Sequence, residues 1–186
     1  MGVIDWVITG LSLIYVILAA KNLRLCFVFG LLGSAVWAYH DFANLNLKFD
    51  GILQIFYVVM SIYGLYRWRT SSEEDDLPIT KMTMKDHGIM IVGGIGISIF
   101  VALLSAHLFT TELPYLDAST TGMSIIATFF LIHRKLENWL YFIIIDLAYI
   151  YIFGTQGAYL LSGIMVVYIV VAVMGYFSWK KELSGT

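Results

Sequence analysis

Four side chains, Asn138, Phe142, Asp146 and Tyr149, follow one another at steps of four, four and three residues within an apolar run. That spacing sets them on one face of a helix. The face is polar and aromatic together, with two rings, an amide for hydrogen bonds and a carboxylate. An acid in an apolar span costs about 2.5–3.5 kcal/mol at the helix centre. A structural acid would need a basic partner, and no Lys or Arg lies at comparable depth in the sequence. Asp146 is therefore read as a binding residue, and a cationic substrate is the hypothesis that follows.

A second face is carried by Gln54, Tyr57, Ser61, Gly64 and Trp68, again at three- and four-residue steps, and it has an equivalent in Met165, Tyr168, Ala172, Gly175 and Trp179. Gln54 opposite Met165 breaks the symmetry with a group that both donates and accepts hydrogen bonds. It reads either as a substrate ligand or as a bridge between membrane helices. Tyr57 and Tyr168 suit stacking on a ring or simple packing. Trp68 and Trp179, near the ends of their runs, read as interfacial anchors. Thr128, with Thr9, Ser12, Thr121 and Ser124, supplies small hydroxyls of the kind used for helix packing or ligand contact.

These faces need helices that cross a bilayer. The chain has 186 residues, 60% of them hydrophobic and 13% charged, and a mean hydropathy of +0.83. Soluble domains are roughly 45–50% apolar. Seven stretches can span, approximately Val3–Ala20, Leu23–Tyr39, Gly51–Trp68, Gly88–His107, Ala118–Ile132, Asn138–Phe153 and Gly157–Trp179. Runs such as Ile143-Ile144-Ile145 lack the alternation of a membrane barrel, so the fold class expected is an all-α membrane protein with seven transmembrane helices. The first stretch reads as a span and not as a cleaved signal, since it has no basic leader. Ten of the 11 Lys and Arg residues fall on one side of this scheme and only Lys48 on the other. The excess predicts an N-terminus outside and a C-terminus in the cytoplasm.

The chain also repeats itself. Thr9-Gly10-Leu11-Ser12 returns as Thr121-Gly122-Met123-Ser124, and Tyr57, Gly64 and Trp68 return as Tyr168, Gly175 and Trp179 at a nearly constant shift. Duplicated membrane chains are characteristic of transporters. The organisation predicted is 3+1+3: a first three-helix bundle over 1–69, a cytoplasmic linker over 70–86, a connector helix and loop over 87–117, and a second bundle over 118–186. Three spans invert the chain and the connector restores its direction, which makes this a parallel repeat with its substrate site expected near mid-membrane, worked by rocking of the bundles. The linker is marked by Glu73-Glu74-Asp75-Asp76 and Pro78, and Gly93, Gly94 and Gly96 are small enough for close helix contact. Cys26 is the single cysteine and reads as an inert apolar residue. No P-loop, HExxH or Cys/His cluster is present; that argues against an ATP-driven pump and an intramembrane enzyme, and no catalytic residue, metal or other cofactor is expected.

The run Arg134-Lys135-Leu136-Glu137-Asn138-Trp139 with Asp146 downstream, the Tyr…Gly…Trp close of each half and Asp50-Gly51-Ile52-Leu53-Gln54 together resemble the PnuC family of bacterial vitamin transporters. The resemblance spans nearly the whole chain. It implies a seven-helix fold akin to the SWEET sugar carriers, in the bacterial inner membrane. It further implies import of nicotinamide riboside by facilitated diffusion, with a cytoplasmic kinase trapping the substrate, and a homotrimer. Relatives carry thiamine or riboflavin. The family's ligand-contacting positions fall on Gln54, Asn138 and Phe142, with Asp146 nearby. Phe142 stands where many members carry a Trp and Thr128 where a Gln is expected. Thiamine, also a cationic heteroaromatic, is thus the rival substrate, and the rival classes are the vitamin-binding subunit of an ATP-driven importer and a proton-coupled carrier using Asp146.

Overall fold

The computed structural model describes residues 2–40, 42–43, 48–68, 77–108 and 114–185. Arg69 and the acidic run Glu73–Asp76 lie outside them, as do the side chains of Lys48, Asp50 and His107. The long elements among the described residues are all helices: α1 (Val3–Ala20), α2 (Cys26–His40), α3 (Lys48–Arg67), α4 (Met84–Gly88), α5 (Gly94–Leu108), α6 (Pro114–Ile132), α7 (Asn138–Thr155) and α8 (Tyr159–Gly185). A π-helical turn, Ile89–Gly93, joins α4 to α5 so that the two run on as one element. Four elements are long and apolar enough to cross a membrane, and three shorter apolar helices, Cys26–His40, Gly51–Arg67 and Ala118–Ile132, accompany them. The chain is an all-helical membrane protein.

It divides into two compact units, Met1–Pro78 and Ile79–Thr186. In the first, α2 packs on α1 and α3; in the second, α5 packs on α6, α6 on α7 and α7 on α8. The connector helix clusters with the second unit.

Helix α3 shows why its sequence chooses its orientation. Ile52, Ile55, Val59, Ile62 and Tyr66 form its exposed stripe, while Gly51, Gln54, Ser61, Gly64 and Trp68 are buried. Apolar outside and small or polar inside is the pattern a bilayer demands, because lipid solvates the first set and only protein can satisfy or pack the second.

Each unit contains the same aromatic arrangement. In the first, Phe27 lies over Gly64, where a Cβ would collide with its ring, and meets Trp68 edge-on at 4.9 Å and 84°. In the second, Trp139 lies over Gly175, whose Cβ would come within 2.8 Å of it, and meets Trp179 edge-on at 5.4 Å and 86°. The glycine opens the space and the ring four residues on closes it. Trp68 and Trp179 are therefore not the interfacial anchors that the sequence suggested: they are 1% and 0% exposed, each held by its own unit's ring pair. The backbone echoes this pairing at the turns that follow α1 and α6. Asn22 and Arg134 adopt left-handed φ values of 56° and 50°. Each turn returns an amide to the helix it closes, Leu23 N–H to Leu18 O at 2.9 Å and Lys135 N–H to Phe130 O at 3.0 Å.

Helices α5 and α6 approach closely because both present small groups. A Cβ at Gly122 would meet Ser98 and the Gly94 carbonyl, one at Gly94 would meet Met123, and one at Gly93 would stand 3.5 Å from Ile126, whereas Gly96 faces open space. Ser98 Oγ donates to the Gly94 carbonyl at 2.6 Å, so the hydroxyl is satisfied within its own helix. Cys26 is fully buried.

Candidate functional site

Helix α7 begins at a turn that is fastened by the chain segment leading into α4. Thr80 pairs in parallel with Lys135: the Thr80 N–H donates to the Arg134 carbonyl at 3.0 Å and the Leu136 N–H to the Thr80 carbonyl at 2.9 Å. Two residues on, the Met82 N–H donates to Glu137 Oε2 at 2.6 Å, a charge-assisted bond of the stronger kind. Ile79 and Met82 are buried on either side. Thr83 then caps α4 reciprocally with Asp86, and Asp86 Oδ2 stands 3.2 Å from Lys135 Nζ. The ion pair is partly exposed and contributes at most about 1 kcal/mol; the backbone pairing and Glu137 set the geometry.

Asn138 is the first residue of α7 and wholly buried. Its Nδ2 donates to the Lys135 carbonyl, inside the fastened turn. Its Oδ1 is buried with no hydrogen-bond partner. The Trp139 indole N–H beside it is likewise unpaired. Burying such groups unpaired costs about 1–3 kcal/mol each, so each calls for an explanation, of which a functional role is one.

Further along α7, Phe142 lies 6.3 Å from the Trp139 ring. Phe142 and Tyr149 pack against a cluster formed by Met82, Met90, Ala127, Phe130 and Ile145, and Tyr149 stacks on Phe153 at 5.6 Å and 15°. Asp146 is half-buried, and among the described residues no hydrogen bond or charge reaches its carboxylate. The second unit thus gathers Asn138, Phe142, Asp146 and Tyr149 on one helix. Thr128 on α6 is buried, and its hydroxyl donates to the Ser124 carbonyl at 2.8 Å. That proton is spent within the helix, which leaves Thr128 only acceptor capacity toward anything else. Tyr168 is half-buried on α8. In the first unit Gln54 is 8% exposed and Tyr57 is half-buried, its ring 5.4 Å from Phe56.

The sequence reading missed the strap. The Thr83-x-x-Asp86 pattern announces a helix start, but nothing local announces that Thr80 and Lys135 pair across 55 positions. It also missed the 2.8 Å hydrogen bond between His87 Nδ1 and the Tyr141 hydroxyl, which ties α4 to α7.

Comparison with known proteins agrees with this architecture. The model of the nicotinamide mononucleotide transporter family matches residues 2–181. The chain belongs to that family. Among curated relatives, the nicotinamide riboside transporter PnuC of Escherichia coli (strain K12) is 24% identical over 82% of this chain and 74% of its own. The proteins of the same description from Neisseria mucosa and Haemophilus influenzae are each 24% identical, over 94% and 96% of this chain and 70% and 80% of theirs. The crystal structure of the vitamin B3 transporter PnuC aligns with a TM-score of 0.77 at 20% identity, over 98% of this chain and 82% of that one. At that identity the likeness shows the fold. The protein is a multi-pass membrane transporter of the family.

Proposed function

We propose that the protein imports nicotinamide riboside by facilitated diffusion. The observation that carries this reading is Asp146, a half-buried carboxylate with neither cation nor hydrogen-bond donor among the described residues, on the same face as Asn138, Phe142 and Tyr149. Nicotinamide riboside carries a fixed pyridinium charge, an amide and a ribose. It can supply the charge that Asp146 lacks and the donor that Asn138 Oδ1 lacks. The relatives named above are nicotinamide riboside transporters, which favours that cation over thiamine.

In this reading Asp146 offsets the ring charge, Phe142, Tyr149, Tyr57 and Tyr168 offer ring faces, and Gln54 and Asn138 bond the amide or ribose. Thr128 can only accept. No residue is catalytic. Facilitated diffusion stops at equal concentrations, so net import needs a cytoplasmic kinase to phosphorylate the product. The distribution of basic residues supports a C-terminus on that cytoplasmic side, and the family resemblance supports a homotrimer.

The test is uptake into liposomes holding the purified protein alone, with no ATP and no pH step. Labelled nicotinamide riboside is expected to equilibrate and stop. Absence of uptake without a partner would point to a subunit of an ATP-driven importer. Accumulation above the external concentration when a pH step is imposed would point to proton coupling through Asp146.

A further inference from the structure

We propose that Glu137 is a positioning residue for substrate binding, which orients the Asn138 amide through the strap that it holds. The inference rests on the reading of Asn138 as a substrate ligand. An amide side chain can present either its oxygen or its nitrogen, and here the turn fixes its orientation: one N–H of Nδ2 is given to the Lys135 carbonyl, which leaves Oδ1 buried and, among the described residues, unpaired. Asn138 is therefore an acceptor toward its ligand, matched to a carboxamide N–H or a ribose hydroxyl.

The Lys135 carbonyl that makes this choice belongs to a turn with little rigidity of its own, since Arg134 sits at a φ of 50°, a region that non-glycine residues seldom occupy. Its shape is maintained from outside. Thr80 brackets Lys135 by bonds to Arg134 and Leu136, Asp86 holds the Lys135 ammonium, and Glu137 grips the Met82 N–H at 2.6 Å. Two side chains of the turn reach the strap backbone between the Thr80 pairing and the α4 cap: Lys135 Nζ, which donates to the Lys81 carbonyl over a long 3.5 Å, and Glu137, whose contact at 2.6 Å is the close one. Without Glu137 the middle of the strap keeps only the long, exposed Lys135–Lys81 bond, and the Lys135 carbonyl loses its fixed place beside Asn138.

The experiment is a double-mutant cycle read by calorimetric titration with nicotinamide riboside. Asn138→Ala is expected to weaken binding about tenfold, the loss of one buried hydrogen bond. Glu137→Ala should weaken it by a similar factor, and Glu137→Gln, whose amide oxygen still accepts from Met82, should bind within about threefold of the parent protein. The combined Glu137→Ala and Asn138→Ala protein should bind no more weakly than Asn138→Ala alone, since Glu137 acts only through that amide. A general loosening of the fold would instead add to the loss. Additive losses, or parent-like binding by Glu137→Ala while Asn138→Ala is impaired, would overturn the positioning role and leave the ligand role of Asn138 standing. Parent-like binding by Asn138→Ala would remove both. Should Glu137→Ala fail to fold, Glu137→Asp, one methylene too short to keep the bond to the Met82 N–H, takes its place in the cycle with the same outcomes.

Discussion

Replacing Asp146 by Asn is expected to lower affinity for nicotinamide riboside by about tenfold to a hundredfold, the range of about 1.5–3 kcal/mol that a charge-assisted contact contributes. The change keeps the shape of the side chain and removes its charge. The uncharged dihydro form of the riboside should bind the parent and the Asp146→Asn protein alike, which isolates the charge from the packing of the ring. Stability should move the other way. In the unliganded protein the carboxylate is half-buried without a partner among the described residues, so removing its charge removes a desolvation cost, and the variant should melt at a higher temperature. Opposite signs for affinity and stability are the mark of a group retained for function. Equal affinity of both proteins for the charged riboside would eliminate the charge role.

The second large effect concerns the fold. A Cβ added at Gly122 comes within 2.6 Å of the Ser98 backbone nitrogen and 2.7 Å of the Gly94 carbonyl oxygen. Backbone cannot swing aside as a side chain can, so α5 and α6 must separate. Gly122→Ala is expected to cost about 3 kcal/mol, the upper part of the usual range for overpacking, seen as a large drop in melting temperature in detergent. Gly10, its partner in the repeat, supplies the control. Nothing lies within 4 Å of a Cβ there, and Gly10→Ala should be neutral or stabilising by up to about 1 kcal/mol, because alanine is the better helix former. Equal melting temperatures for the two variants would contradict the packing described for α5 on α6.

Much of this was legible because membrane helices leave few alternatives. The run Val3–Ala20 coincides with α1, and Asn138 is where α7 begins; length and hydropathy suffice when every backbone group must be paired within its own segment. The last run was cut at Trp179, whereas α8 continues to Gly185 through Lys180, Lys181 and Glu182. Apolarity marks the bilayer, but a helix need not stop where the lipid does. Asp146 was conspicuous because a carboxylate in such a run has so few explanations.

What the sequence concealed was cooperative. A tryptophan near the end of a span reads as an anchor until the ring that covers it is known, and Phe27 over Gly64 and Trp139 over Gly175 are contacts between helices. Thr128 looked available until its proton was found on the Ser124 carbonyl. The run from Arg134 to Trp139 was read for its family resemblance, its basic charge and the Asn138 amide, yet Lys135 and Glu137 also fasten it, and their partners Asp86 and Met82 lie far away in the chain.

The central claim is that this face binds the nicotinamide riboside cation. It is tested most directly by calorimetric titration of the purified, detergent-solubilised protein with nicotinamide riboside and with thiamine, side by side. Saturable binding of the riboside, with thiamine at least about tenfold weaker, is the result predicted. Tight binding of thiamine with none of the riboside would contradict the account and make Phe142 and Thr128 determinants of a different specificity.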